Sequence, residues 1–229
     1  MSRPVPIVAL DVRTTADALR LVDALGERCR FYKVGSELYT AEGPRIVAEL
    51  HARGAAVFLD LKFHDIPNTV RGAVSSAAQP GVALMTVHAS GGRAMLQSAV
   101  AAAPAGVGIL AVTVLTSLDA AGLGESWGRP VPDVQPEVLR LASLAVEAGA
   151  RGVVCSGLEA AAIRDRFAGR LATLVPGVRL PGGAQQDQSR VVTPREAAEA
   201  GATWIVLGRT VTGAPAPGDA MERVLADLS

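Results

Sequence analysis

The chain has 229 residues, of which 49% are hydrophobic, 19% charged and only 3% aromatic. Lys plus Arg equal Asp plus Glu at 22 each, so no net charge is available to hold a nucleic-acid backbone or an anionic membrane surface. An anionic ligand must instead be gripped by a few placed cations.

No segment approaches the roughly 20 uninterrupted apolar residues of a membrane span. The apolar run at the N-terminus, interrupted by Pro4 and Pro6, is too short for a signal peptide. Cys29 and Cys155 have neither metal-site nor redox-motif spacing and read as buried reduced thiols. A cytoplasmic protein is the expectation.

Along the chain, short apolar runs alternate with longer amphipathic ones. Strands are predicted at Ile7–Leu10, Phe31–Val34, Ala56–Leu61, Ala83–Val87, Gly108–Val114, Gly152–Cys155, Leu171–Val175 and Trp204–Leu207. Helical patterns fall near 15–25, 42–53, 67–78, 91–103, 135–148, 158–168, 194–200 and 217–228. Asp119 to Pro132 is rich in Gly and Pro and reads as a long loop after the fifth strand. Thr193-Pro194 is an N-cap followed by proline at the first helical position, and Gly149 and Gly201 stand where helices should end.

Eight strand–helix pairs with nearly continuous apolar strands predict a single-domain (β/α)8 TIM barrel over residues 1–229. An open doubly wound sheet is the alternative. Barrel enzymes place their chemistry at the C-terminal strand ends. The polar residues at those ends are Asp11, Lys33, Asp60 with Lys62, His88, Thr116, Ser156, Arg179 and Gly208-Arg209.

The third strand carries the strongest signal, Asp60-Leu-Lys62-Phe-His-Asp65-Ile-Pro-Asn-Thr69. Residues two apart share a strand face, so Asp60 and Lys62 project together. Lys33 closes the neighbouring strand, within reach at the usual inter-strand spacing of about 5 Å. Lys33, Asp60 and Lys62 therefore form one array of alternating sign. Ion pairs that merely balance charge at a barrel mouth are the bland explanation, but burying several charges together is a costly way to gain stability.

This signature closely resembles that of the orotidine 5′-monophosphate decarboxylases. Ala9-Leu-Asp11, Lys33-Val-Gly-Ser-Glu-Leu, Val87-His-Ala-Ser-Gly-Gly92, Leu115-Thr116-Ser117, Pro176-Gly-Val-Arg179, Asp187-Gln188 and Val206-Leu-Gly208-Arg209 follow in that family's order. The resemblance implies that Lys62 gives a proton to C6 of the pyrimidine, with Asp60 beside the substrate carboxylate. Lys33 and Asp65 would complete the charged network. It further implies a homodimer in which Asp65, Ile66 and Thr69 reach the neighbouring site. Asp11 and Lys33 would meet the ribose, Thr116 the pyrimidine, and Arg179, Gln188, Gly208 and Arg209 the phosphate. Ser189 stands where many relatives carry lysine. No cofactor or metal is implied, and the partner is the nucleotide substrate, orotidine 5′-monophosphate.

The chemistry suits these residue types. Loss of CO₂ from C6 leaves an electron pair in an sp² orbital perpendicular to the π system, beyond the reach of ordinary resonance. A fixed cation at C6 answers that need. Phosphate would lie between the loops after strands seven and eight, with the 180–190 loop closing on it.

Other signals are weaker. His64 and Asp65 suggest metal ligands, but adjacent residues need not converge and Lys62 would repel the ion. His88 reads as a rim residue, and His51 as a helix-surface one. Trp127 and Trp204 read as loop and packing residues. The nearest rival resembles 3-keto-hexulose-6-phosphate synthase, a Mg²⁺-dependent lyase with a similar D-x-K-x-x-D pattern and usually a glutamate where this chain has Lys33. A non-catalytic phosphate or nucleotide sensor is a third class, and it would not need the acid–base array.

Overall fold

The apolar runs become strands because both of their faces are covered. In the computed structural model, which describes residues 3–181 and 190–228, eight parallel strands pair in chain order and close on themselves. They are β1 (Val5–Ala9), β2 (Phe31–Gly35), β3 (Ala56–Phe63), β4 (Val82–His88), β5 (Gly108–Val112), β6 (Gly152–Val154), β7 (Ala172–Val175) and β8 (Trp204–Leu207). Closure is made by β1 against β8, with Ile7 opposite Val206, which disposes of the open-sheet alternative.

Strand alternation sorts the apolar residues into two cores. Ile7, Ala9, Phe58, Leu84, Leu110, Leu174, Trp204 and Val206 fill the barrel interior. The intervening residues, among them Val8, Leu59, Met85, Val87 and Val175, face outward and join the helices in a larger cluster. With few aromatics, that outer layer is built from Val, Leu, Ile and Ala.

The helices are α1 (Thr15–Leu25), α2 (Ser36–Glu42), α3 (Arg45–Ala52), α4 (Pro67–Ala77), α5 (Gly92–Ala102), α6 (Ala120–Trp127), α7 (Val134–Ala148), α8 (Gly157–Phe167), α9 (Pro194–Glu199), α10 (Arg209–Thr212) and α11 (Pro217–Asp227). Thr193 caps α9 as expected, in a capping box with Glu196. Gly149 ends α7 in the left-handed conformation. Ser156 is the N-cap of α8, in a second capping box with Glu159, so its hydroxyl serves the helix end rather than the rim.

Three local expectations need correction. The segment Asp119 to Pro132 is not all loop, for α6 forms within it. The Asp119 carboxylate accepts from the Gly122 N–H at 2.8 Å, and Leu123 is buried, so capping and packing override the glycines. A Cβ on Gly124 would lie 3.1 Å from the Arg129 carbonyl oxygen, so the glycine permits the close return of the chain. The helix expected near 42–53 is α3, which begins only after Gly43 (φ 64) and Pro44, and α2 ahead of it was not expected. The short α10 after β8 was not expected.

Cys29 and Cys155 are buried and unpaired, and burial pushes both thiols up from their ordinary range. No described helix is long and apolar enough to cross a membrane.

Candidate active site

The strand ends converge on a cavity of about 540 Å³ at the C-terminal mouth of the barrel. Its floor is apolar, made by Ala9, Phe58, Val112, Val154, Leu174 and Val206. Around it stand Asp11, Lys33, Asp60, Lys62, Thr116, Arg179, Gly208 and Arg209, all of them singled out by sequence.

The charged side chains form the predicted array. Lys33 Nζ donates to Asp11 Oδ1 at 2.6 Å and lies 3.9 Å from Asp60 Oδ2. Lys62 Nζ donates to the same Asp60 oxygen at 2.8 Å. The Lys33 and Asp60 side chains are each 12% exposed, whereas that of Lys62 is 37% exposed, so the second ammonium faces the open chamber. Gly35 makes room for this arrangement: a Cβ there would meet Lys33 Nζ at 3.0 Å and Asp11 Oδ1 at 3.4 Å.

The backbone of β3 departs from regular pleating where the array sits. Leu59 pairs with Met85 and Phe63 with Val87, so three residues of β3 bulge opposite Thr86 alone. Lys62 takes a left-handed backbone, φ 50, that side-chain-bearing residues rarely adopt. Thr86 was not among the sequence candidates. A signal existed, since it is a hydroxyl inside an apolar strand, on the inward face set by Leu84. Its hydroxyl donates to Asp60 Oδ1 and accepts from the Lys62 N–H, each at 2.9 Å.

His88 closes β4 beside His64, their ring centroids 5.4 Å apart. Burial, helped by His64 and then Lys62, holds the His88 imidazole below its ordinary range. Among the described residues, no three His, Cys, Asp or Glu side chains cluster as metal ligands.

On the opposite rim, β7 leads into Arg179, whose N–H pairs with the Val192 carbonyl at 2.9 Å. The Val178 carbonyl accepts from Arg179 Nη1 and from the Thr210 hydroxyl, both at 3.1 Å, tying this turn to α10. Arg190 enters a buried ion pair with Glu159 and donates to the Leu115 carbonyl at 3.2 Å, which steadies the loop carrying Thr116. Neither Arg190 nor Glu159 was read from the sequence, because each looks like an ordinary surface charge. Gln188 lies outside the described residues.

Asp65, Ile66 and Thr69 do not join the cavity lining within one chain. They occupy the turn into α4 and its first residues, where the Asp65 carboxylate accepts from the Ile66 N–H at 2.6 Å and Ile66 is 67% exposed.

Known proteins resemble the chain along nearly its whole length. A chain named orotidine 5′-phosphate decarboxylase from Anaeromyxobacter sp. (strain K) is 51% identical over 220 residues, covering 96% of each chain. One of the same name from Halorhodospira halophila is 49% identical over 100% of this chain and 99% of its own. The crystal structure of orotidine 5′-phosphate decarboxylase from Lactobacillus acidophilus superposes with a TM-score of 0.85 at 36% identity, covering 100% of both chains. The model of the orotidine 5′-phosphate decarboxylase / HUMPS family matches residues 4–224, and the chain belongs to that family.

Proposed function

We propose that this chain converts orotidine 5′-monophosphate to uridine 5′-monophosphate and CO₂, a step of de novo pyrimidine synthesis, with Lys62 as the proton donor. The observation that carries it is the Lys33–Asp60–Lys62 array over an apolar floor. The bond from C6 to the carboxylate carbon breaks, CO₂ departs, and its electron pair stays on C6. Lys62 delivers a proton to that pair and is left as a neutral amine, which regains its proton from solvent. Asp60 stands by the leaving carboxylate and holds Lys62 oriented. The floor excludes water on one side, where fixed charges act more strongly than in bulk.

Asp11 and Lys33 hold the ribose hydroxyls, and Thr116 the pyrimidine. Arg179, Gln188, Gly208 and Arg209 hold the phosphate, whose binding energy helps orient the reacting carbon. Asp65, Ile66 and Thr69 complete the neighbouring site of a homodimer. The exposure of Ile66 supports that placement, since a large apolar side chain in water is a natural contact for a second copy. The barrel over residues 1–229 is the catalytic unit, and its buried thiols suit the reducing cytoplasm.

The reaction runs without a metal or other cofactor. Two ammonium groups occupy the space around Asp60 where a divalent ion of a related lyase would need carboxylates, and they repel it. The test is an absorbance assay of orotidylate conversion before and after EDTA treatment. Conversion that survives chelation is expected. Conversion abolished by EDTA and restored by Mg²⁺ would refute the metal-free mechanism, and no conversion by the untreated protein would refute the activity.

A further inference from the structure

We infer that Thr86 is a positioning residue for this reaction, its single hydroxyl setting Asp60 and Lys62 in the relation that proton delivery requires. The inference rests on the decarboxylase reading above and adds to it a residue outside the charged array.

The bulge in β3 creates two problems at once. Between the Leu59–Met85 and Phe63–Val87 pairs, Asp60, Leu61 and Lys62 face one residue of β4, so the regular ladder cannot serve their backbone groups. The left-handed Lys62 backbone is also strained for a residue with a Cβ, and surrounding structure must hold it. Thr86 is the residue opposite, fully buried at 0% exposure. Its hydroxyl oxygen takes the Lys62 N–H, and its proton goes to Asp60 Oδ1.

Each carboxylate oxygen of Asp60 then has its own partner. Oδ1 is held by Thr86, and Oδ2 faces Lys62 Nζ at 2.8 Å and Lys33 Nζ at 3.9 Å. Rotation of the carboxylate would break the first contact, so the oxygen that orients the ammonium is fixed. One side chain therefore locks the main chain of the proton donor and the side chain of its partner together. Valine has nearly the same shape but can do neither, whereas serine keeps the hydroxyl.

The experiment compares wild type, Thr86→Val and Thr86→Ser. A hydrogen bond to a charged group contributes about 1.5–3 kcal/mol, so Thr86→Val should lower kcat for orotidylate roughly 10- to 100-fold. KM and the affinity for the product uridylate should stay within about threefold, because the groups that hold ribose and phosphate are untouched. Thr86→Ser should retain kcat within about threefold of wild type. A Thr86→Val enzyme with wild-type kcat overturns the inference. So does a Thr86→Val enzyme that loses uridylate affinity together with kcat, or a Thr86→Ser enzyme as impaired as Thr86→Val. A crystal structure of Thr86→Val tests the role independently of turnover: an unmoved Asp60 carboxylate and an unchanged Lys62 backbone overturn it. Lack of turnover by wild type would instead refute the decarboxylase reading.

Discussion

Replacing Lys62 by methionine keeps the length of the side chain and removes its charge and its proton. The ammonium is fixed 2.8 Å from Asp60 Oδ2, so it acts from a defined point within the chamber. Opposite unit charges about 4 Å apart gain about 4 kcal/mol at an effective dielectric near 20, roughly a thousandfold in rate. Positioned proton transfer contributes about 10²–10⁴ more. Lys62→Met should therefore lower kcat by about 10⁵ or more. Uridylate carries no carboxylate to meet the uncovered Asp60, so its binding should change far less than turnover. Loss of orotidylate absorbance gives the rate, and titration calorimetry with uridylate shows that the site is still formed. A folded, uridylate-binding Lys62→Met protein with kcat within tenfold of wild type would remove Lys62 from the chemistry.

Arg209→Ala should reduce kcat/KM for orotidylate by roughly 10- to 150-fold, the worth of a charge-assisted hydrogen bond, while hardly altering the slow turnover of orotidine, which lacks phosphate; equal losses on both compounds would place Arg209 elsewhere. Arg190→Met strands the Glu159 carboxylate, which is 4% exposed, and takes a donor from the Leu115 carbonyl. Removing one member of a buried pair costs about 3–5 kcal/mol, or roughly 6–20 °C in Tm for a chain of this size, and a calorimetric shift under about 2 °C would contradict it. His88 is held below its ordinary value near 6.5, first by burial and then by His64 and Lys62. The folded state thus favours the neutral ring, so the His88 contribution to stability is complete above about pH 6.5 and is lost as pH falls through the folded value. Denaturant midpoints between pH 7.5 and 5 should fall less steeply in His88→Gln, and parallel slopes would refute the linkage.

Most of the barrel could be read from the chain because its strands are buried on both faces and separated by amphipathic helices. The array was legible because Lys33, Asp60 and Lys62 lie on neighbouring strands toward the C-terminal mouth, although the bulge that sets the Lys62 backbone was not foreseen. Where reading failed, a tertiary effect outweighed a local one. Composition marked Asp119 to Pro132 as loop, yet an aspartate cap and one buried leucine sufficed for α6. Thr86 was visible as a hydroxyl on the inward face of an apolar strand, but its role comes from a bulge on the neighbouring strand, which β4 itself does not announce. Arg190 and Glu159 are 31 residues apart and meet only through the closure of the rim. Asp65, Ile66 and Thr69 are a separate case, since their proposed partner is another copy and one chain does not bring them to its own cavity.

Phe58 belongs both to the barrel interior and to the floor beneath the charged array. Ala9, Leu174 and Val206 share that double membership. Robustness and catalysis thus draw on the same atoms at this level of the molecule. Trimming the ring to improve access would deepen the chamber, admit solvent and loosen the staves in one stroke. Anyone hardening this protein against heat should leave that plug alone and work in the outer helical shell, where a tighter fit does not reshape the reaction vessel.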